Sequence, residues 1–114
     1  MNTEGAVTAL GALAQETRLA VFRTLVKRGP EGYTPGDLSA KLKIPGPTLS
    51  FHLKELQRAG LVASSREGRF LNYSASFETM QELIGFLTEK CCTLSDVERD
   101  GACTAVAVRA KQRA

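Results

Sequence analysis

Apolar side chains recur at helical spacing from the start of the chain: Val7, Leu10 and Ala14, then Leu19, Phe22 and Val26 beside Val21 and Leu25. The pattern predicts two amphipathic helices, about 4–14 and about 16–28, the second ended by Gly29-Pro30. Thr34 suits an N-cap, Pro35 a first helical position and Asp37 a first turn, which predicts a short helix over about 35–42. Lys43-Ile44-Pro45-Gly46 reads as a turn. A further helix opens at Pro47, with Leu49, Leu53 and Leu56 as its apolar stripe and Gly60 just past its end. The period then changes. Leu61–Ser65 and Arg69–Ala75 are short β-prone runs around Arg66-Glu67-Gly68, the pattern of a hairpin. Ser76 can cap a last long helix, with Phe77, Met80, Leu83, Ile84 and Leu87 on one side, ending around Glu89–Cys92. Residues 93–114 show weaker order, broken by Asp100-Gly101.

These elements predict a mainly α chain with a small β-hairpin, the layout of a winged helix-turn-helix. The expected division is a domain over 1–92 and a C-terminal tail over 93–114 that carries Cys103. No apolar run approaches the roughly 20 residues a membrane helix needs. The N-terminus lacks the basic-then-apolar layout of a secretion signal, so the expected location is the cytoplasm, where thiols stay reduced. Three cysteines is in any case an odd count for a disulfide framework. One His and no Trp leave few parts for catalysis. A thiol enzyme would need an activated Cys near a base, and the single His lies on another helix, so the expectation is that this is not an enzyme.

The net charge of +3 conceals a pattern. Residues 41–75 hold six basic side chains (Lys41, Lys43, Lys54, Arg58, Arg66, Arg69) against Glu55 and Glu67. Residues 76–103 hold six acidic side chains against Lys90 and Arg99, and contain all three cysteines. A basic middle suits a phosphate-facing surface, although a solvated face would carry the same charge. The predicted elements suit DNA more specifically. The major groove admits one helix, and a hairpin can reach the neighbouring backbone or minor groove. Thr48, Ser50 and His52 alternate with Leu49 and Leu53 at the start of the helix at 47–59, where base edges would lie. Lys54 and Arg58 lie further along, towards phosphates, and Arg66 and Arg69 flank the hairpin tip.

Leu10–Leu25 (LGALAQETRLAVFRTL), Pro47–Val62 (PTLSFHLKELQRAGLV) and the wing Glu67–Tyr73 resemble the ArsR/SmtB family of bacterial repressors. The resemblance covers residues 6–90. It implies a homodimer through the first and last helices, with the helix at 47–59 reading an inverted-repeat operator in double-stranded DNA. Thr48, Ser50, Phe51 and His52 match the family's recognition-helix positions, and Arg66, Gly68 and Arg69 match its wing. Phe51 stands where many relatives have a polar residue or His. Packing remains an alternative for two of these: Phe51 either meets a thymine methyl or fills a groove on its own domain, and His52 either meets DNA or packs under the wing.

The resemblance also bears on the cysteines. Residues 34–38 lack the Cys-x-Cys pair of many arsenite-sensing relatives, and no His follows residue 52 for a zinc site on the last helix. Cys91-Cys92 at the end of that helix, with Cys103 beyond, resemble the arsenic-responsive members whose thiols are C-terminal. Three thiolates and no imidazole suit a soft three-coordinate ion such as As(III) or Sb(III). Adjacent cysteines can share one ion only if the helix ends there. Zinc or cadmium would need a fourth ligand, which Asp96, Glu98 or Asp100 could supply. Oxidant sensing through the same thiols and simple packing rank below ligand binding, an order the resemblance decides more than the spacing does.

Overall fold

The computed structural model describes residues 1–94, so Cys103 and nearly all of the expected tail lie outside the described residues. Five helices and one hairpin follow in the order α1 (Thr3–Leu13), α2 (Glu16–Arg28), α3 (Pro35–Leu42), α4 (Gly46–Arg58), β1 (Val62–Glu67), β2 (Phe70–Ala75) and α5 (Phe77–Thr88). The caps explain most boundaries. Thr34 accepts from the Asp37 N–H at 3.1 Å, with Pro35 at the first helical position, and Ser76 accepts from Thr79 at 3.3 Å. Asn2 and Gln15 cap α1 and α2 in the same way, at 2.8 and 2.7 Å, through caps the apolar spacing did not flag.

The core is built largely from leucine. Leu25, Leu38, Leu49, Leu53, Leu56 and Leu61 are essentially sealed from solvent, joined by Val21 and Phe22 from α2 and Leu83 from α5. The stripe Leu49, Leu53 and Leu56 therefore faces inward as its spacing predicts. The first helix turns the other way. Its small residues, Ala6 and Ala9, are buried, while Val7 and Leu10 are 62% and 41% exposed. Alanine lets α1 approach α2 and α4 closely, which leaves its larger apolar side chains on the outside. On α5, Leu83 is buried and Met80 and Phe86 pack on the core, whereas Ile84 and Leu87 are about half exposed.

Three boundaries differ from expectation. Helix α4 opens at Gly46, one residue early, with Pro45 as a cap that offers no side-chain acceptor. The hairpin tip is Gly68-Arg69 rather than the three residues Arg66–Gly68, because β1 continues to Glu67, which pairs with Phe70. Gly68 has φ +62°, and a positive φ at the first central position alone is the type II′ pattern, which keeps the strand twist through a two-residue turn. Helix α5 stops at Thr88, short of the cysteines.

Candidate nucleic-acid interface

Helix α4 presents two faces with different chemistry. Leu49, His52, Leu53 and Leu56 point into the core, while Thr48, Ser50, Phe51 and Lys54 are exposed. Its N-terminus has no side-chain cap and no acidic residue in the first turn. The N–H groups there remain directed outward, and with the helix dipole they add positive potential where Thr48 and Ser50 sit. Arg58 is partly engaged by Glu55 at 2.8 Å.

Hydrogen bonds fix the wing relative to this helix. Gln57 donates through Nε2 to Ser64 Oγ of β1 at 3.0 Å. Tyr33, between α2 and α3, forms a reciprocal backbone pair with Tyr73 of β2 at 2.8 Å each way. Asn72 Nδ2 donates to the Glu31 carbonyl at 2.7 Å. The base of the hairpin is thus tied to α4 and to the α2–α3 connection, while its outer part, with Arg66, Gly68 and Arg69, is exposed. Phe70 beside the tip is 68% exposed. Alternation along the strand offered a signal for this side chain, but reading Arg69–Ala75 as an undivided β-prone run left it without a role.

Seven of the eight sequence-derived DNA candidates are therefore on the surface, distributed over α4 and the wing. His52 is the exception. It is 8% exposed, its ring meets Phe51 edge-to-face at 5.5 Å between centroids, and its Nδ1 lies 3.4 Å from Nη1 of Arg18 on α2. This is the packing alternative, with one difference: the neighbour is Arg18 of α2. Phe51, 57% exposed, does not fill a groove on its own domain.

The cysteine region lies at the other end of α5. After Thr88 the chain turns, with Lys90 and Cys92 at positive φ (54° and 69°). This turn brings the sulfurs of Cys91 and Cys92 to 3.0 Å. Adjacent residues in a helix would splay their side chains apart, so ending α5 early is what puts both sulfurs in one place. Cys91 is exposed and Cys92 half-buried. Cys92 is also disulfide-bonded, where the sequence reading expected reduced thiols. Among the described residues no three His, Cys, Asp or Glu side chains are grouped closely enough for a metal ion. Among them too, no helix is long and apolar enough to cross a membrane.

A family model described as a helix-turn-helix domain matches residues 13–65, the stretch that carries α2, α3, α4 and most of β1. An uncharacterized HTH-type transcriptional regulator of Bacillus subtilis, YceK, is 39% identical over 77 residues, covering 67% of this chain and 76% of that protein. The arsenical resistance operon repressor of the same organism is 30% identical over 92 residues, covering 81% and 83%. An ArsR-like transcriptional regulator from Rhodococcus sp. RHA1 superposes with a TM-score of 0.67 at 24% identity, covering 96% of this chain and 92% of that one, a likeness of fold.

Proposed function

Because this chain belongs to the ArsR family of winged helix-turn-helix transcriptional regulators, we propose that it is a homodimeric repressor that leaves its operator when Cys91, Cys92 and Cys103 bind arsenite or antimonite. It is a DNA-binding regulator and not an enzyme. The observation that carries the DNA half is the two-faced α4: leucines inward, Thr48, Ser50, Phe51 and Lys54 outward, beside a wing that exposes Arg66 and Arg69. Phosphate contacts from Lys54 and the wing arginines would set position, and Thr48, Ser50 and Phe51 would meet base edges of an inverted repeat.

The homodimer reading rests on α1 and α5. These helices pack against each other and expose Val7, Leu10, Ile84 and Leu87. Fully burying an exposed side chain of this size contributes about 1.5–3 kcal/mol, and these four are only about half covered, so two adjoining helices that leave them outside favour a second copy there. The metalloid half rests on donor chemistry. Two soft sulfurs at 3.0 Å, just past the end of α5, suit a thiophilic ion, with Cys103 as the third thiolate and the Cys92 disulfide reduced beforehand. A ligand held there acts on the end of a dimer helix, and so on the separation of the two recognition helices. Successive major-groove half-sites need about 34–36 Å, and a hundredfold loss of affinity needs only about 2.7 kcal/mol of coupling. The named B. subtilis relative, an arsenical resistance repressor, supports this choice of ligand. A regulator of this kind works in the cytoplasm.

The test is fluorescence anisotropy of the reduced protein on DNA from upstream of its own gene. Arsenite is titrated in, with zinc, cadmium and peroxide in parallel. Tight binding released by arsenite is the expected result. Binding that arsenite leaves undisturbed would discard the sensor and keep the repressor. A second reading, an oxidant sensor, is favoured by the disulfide at Cys92, and release by peroxide alone would select it.

A further inference from the structure

Arg18 lies on α2, outside the exposed residues of α4 and the wing, yet it reaches the buried side of the recognition helix. It is half-buried near the start of α2. Its Nε donates to the carbonyl of Ala12, at the C-terminal end of α1, at 2.8 Å. Its Nη1 lies 3.4 Å from Nδ1 of His52 on α4. Among the described residues the ion pairs are Arg28–Glu31 and Arg58–Glu55, so this guanidinium meets neutral acceptors instead of a carboxylate. A guanidinium has only donors, so an imidazole facing it must offer a lone pair. That assigns Nδ1 of His52 as acceptor and puts the ring proton on Nε2.

We propose that Arg18 is a positioning residue for DNA recognition. It clamps the last turn of α1, the helix with the outward apolar face, to the buried imidazole of α4, and so fixes the angle at which each subunit of the dimer presents its recognition helix. The inference rests on the DNA-binding dimer reading above. Its physical content is that one rigid fork holds two elements at once, Ala12 on α1 and His52 on α4, from a third, α2. Phe51, next in sequence to His52 and packed edge-to-face against its ring, carries the setting to the outward face. Lysine, with a single ammonium on a flexible stem, does not span both acceptors in a fixed geometry.

The test uses the full reduced chain with Arg18→Ala, Arg18→Lys, His52→Gln and the double variant Arg18→Ala/His52→Gln. Ring-nitrogen NMR shifts of the single histidine report its tautomer in the absence of DNA. The Nε2-protonated form is expected to dominate in the parent protein and to lose that dominance in Arg18→Ala. A parent ring protonated at Nδ1 overturns the clamp, whatever DNA does. Anisotropy is then read on the gene-upstream duplex and on a random duplex at low salt. Arg18→Ala should weaken the first about tenfold, with the random duplex and the dimer mass unchanged. Arg18→Lys should recover little of the loss. His52→Gln, whose amide oxygen can still accept, should bind close to the parent and add no further loss in the Arg18→Ala background. Equal losses on both duplexes, or a further loss when His52→Gln is added to Arg18→Ala, overturn the positioning role. If the parent protein binds neither duplex, the repressor reading fails, while the tautomer still decides the clamp.

Discussion

Single side chains on the exposed face separate by what they can touch. Arg69 sits in the hairpin tip, where a long cation meets phosphate without regard to sequence. Arg69→Ala should weaken binding to most duplexes and lower the salt slope by about one. Measuring affinity at several salt concentrations checks this, and an unchanged slope removes Arg69 from phosphate contact. Ser50, exposed on the first turns of α4, has a hydroxyl that can donate to or accept from a base edge. Ser50→Ala should shift site preference more than overall affinity. Equal losses on operator and random DNA would exclude it from base readout. Thr48, Ser50 and Lys54 were legible because the leucines at 49, 53 and 56 fix which face is left outside. His52 was legible only as one of two alternatives: three residues after Leu49 it falls on the inner face, while its polarity argued for solvent. Only the approach of Arg18 from a distant part of the chain shows why an imidazole fits inside.

At the scale of elements, the wing is held where a turn crosses a strand. Gly32 has φ +69°, and a Cβ built on it would run into the Tyr73 carbonyl. That carbonyl accepts from the Tyr33 N–H in the pair that ties β2 to the α2–α3 connection. Gly32→Ala should therefore cost about 1–3 kcal/mol, through both the left-handed backbone and the clash. Thermal unfolding checks it, and a melting temperature within a degree or two of the parent's would mean the bridge gives way easily. Four helix starts and the two strands followed from caps and periodicity. The tip did not, because choosing a two-residue turn over three depends on which residues pair across the hairpin, and the β-prone runs alone do not set that register.

On the scale of the whole molecule, the outward faces of α1 and α5 and the thiols past Thr88 belong to one question, how two subunits are held. Leu87→Glu puts a charge on an exposed apolar position of α5. It should halve the mass seen by light scattering at micromolar protein and abolish tight operator binding, with helix content unchanged by circular dichroism. A full-mass variant would move the interface elsewhere. Cys103→Ser should leave DNA affinity intact and blunt release by arsenite in the anisotropy titration. A normal response would reduce the site to Cys91 and Cys92, a two-thiol set that would suit a methylated arsenical.

The amino-acid sequence alone determined the order of elements and the buried stripe of α4. Those depend on caps, turn residues and repeats of three and four positions, which act over neighbouring residues. It also determined which residue types occupy the candidate DNA face. Tertiary structure decided which way α1 turns, since Ala6 and Ala9 go inward only because α2 and α4 lie close enough to need small side chains. It decided that His52 faces Arg18, a pairing across 34 positions. It also decided that Cys91 and Cys92 converge, because the stop of α5 at Thr88 and the left-handed backbone at Lys90 and Cys92 turn their side chains together. Each of these depends on distances between parts of the chain, and a pattern read along the sequence does not contain them.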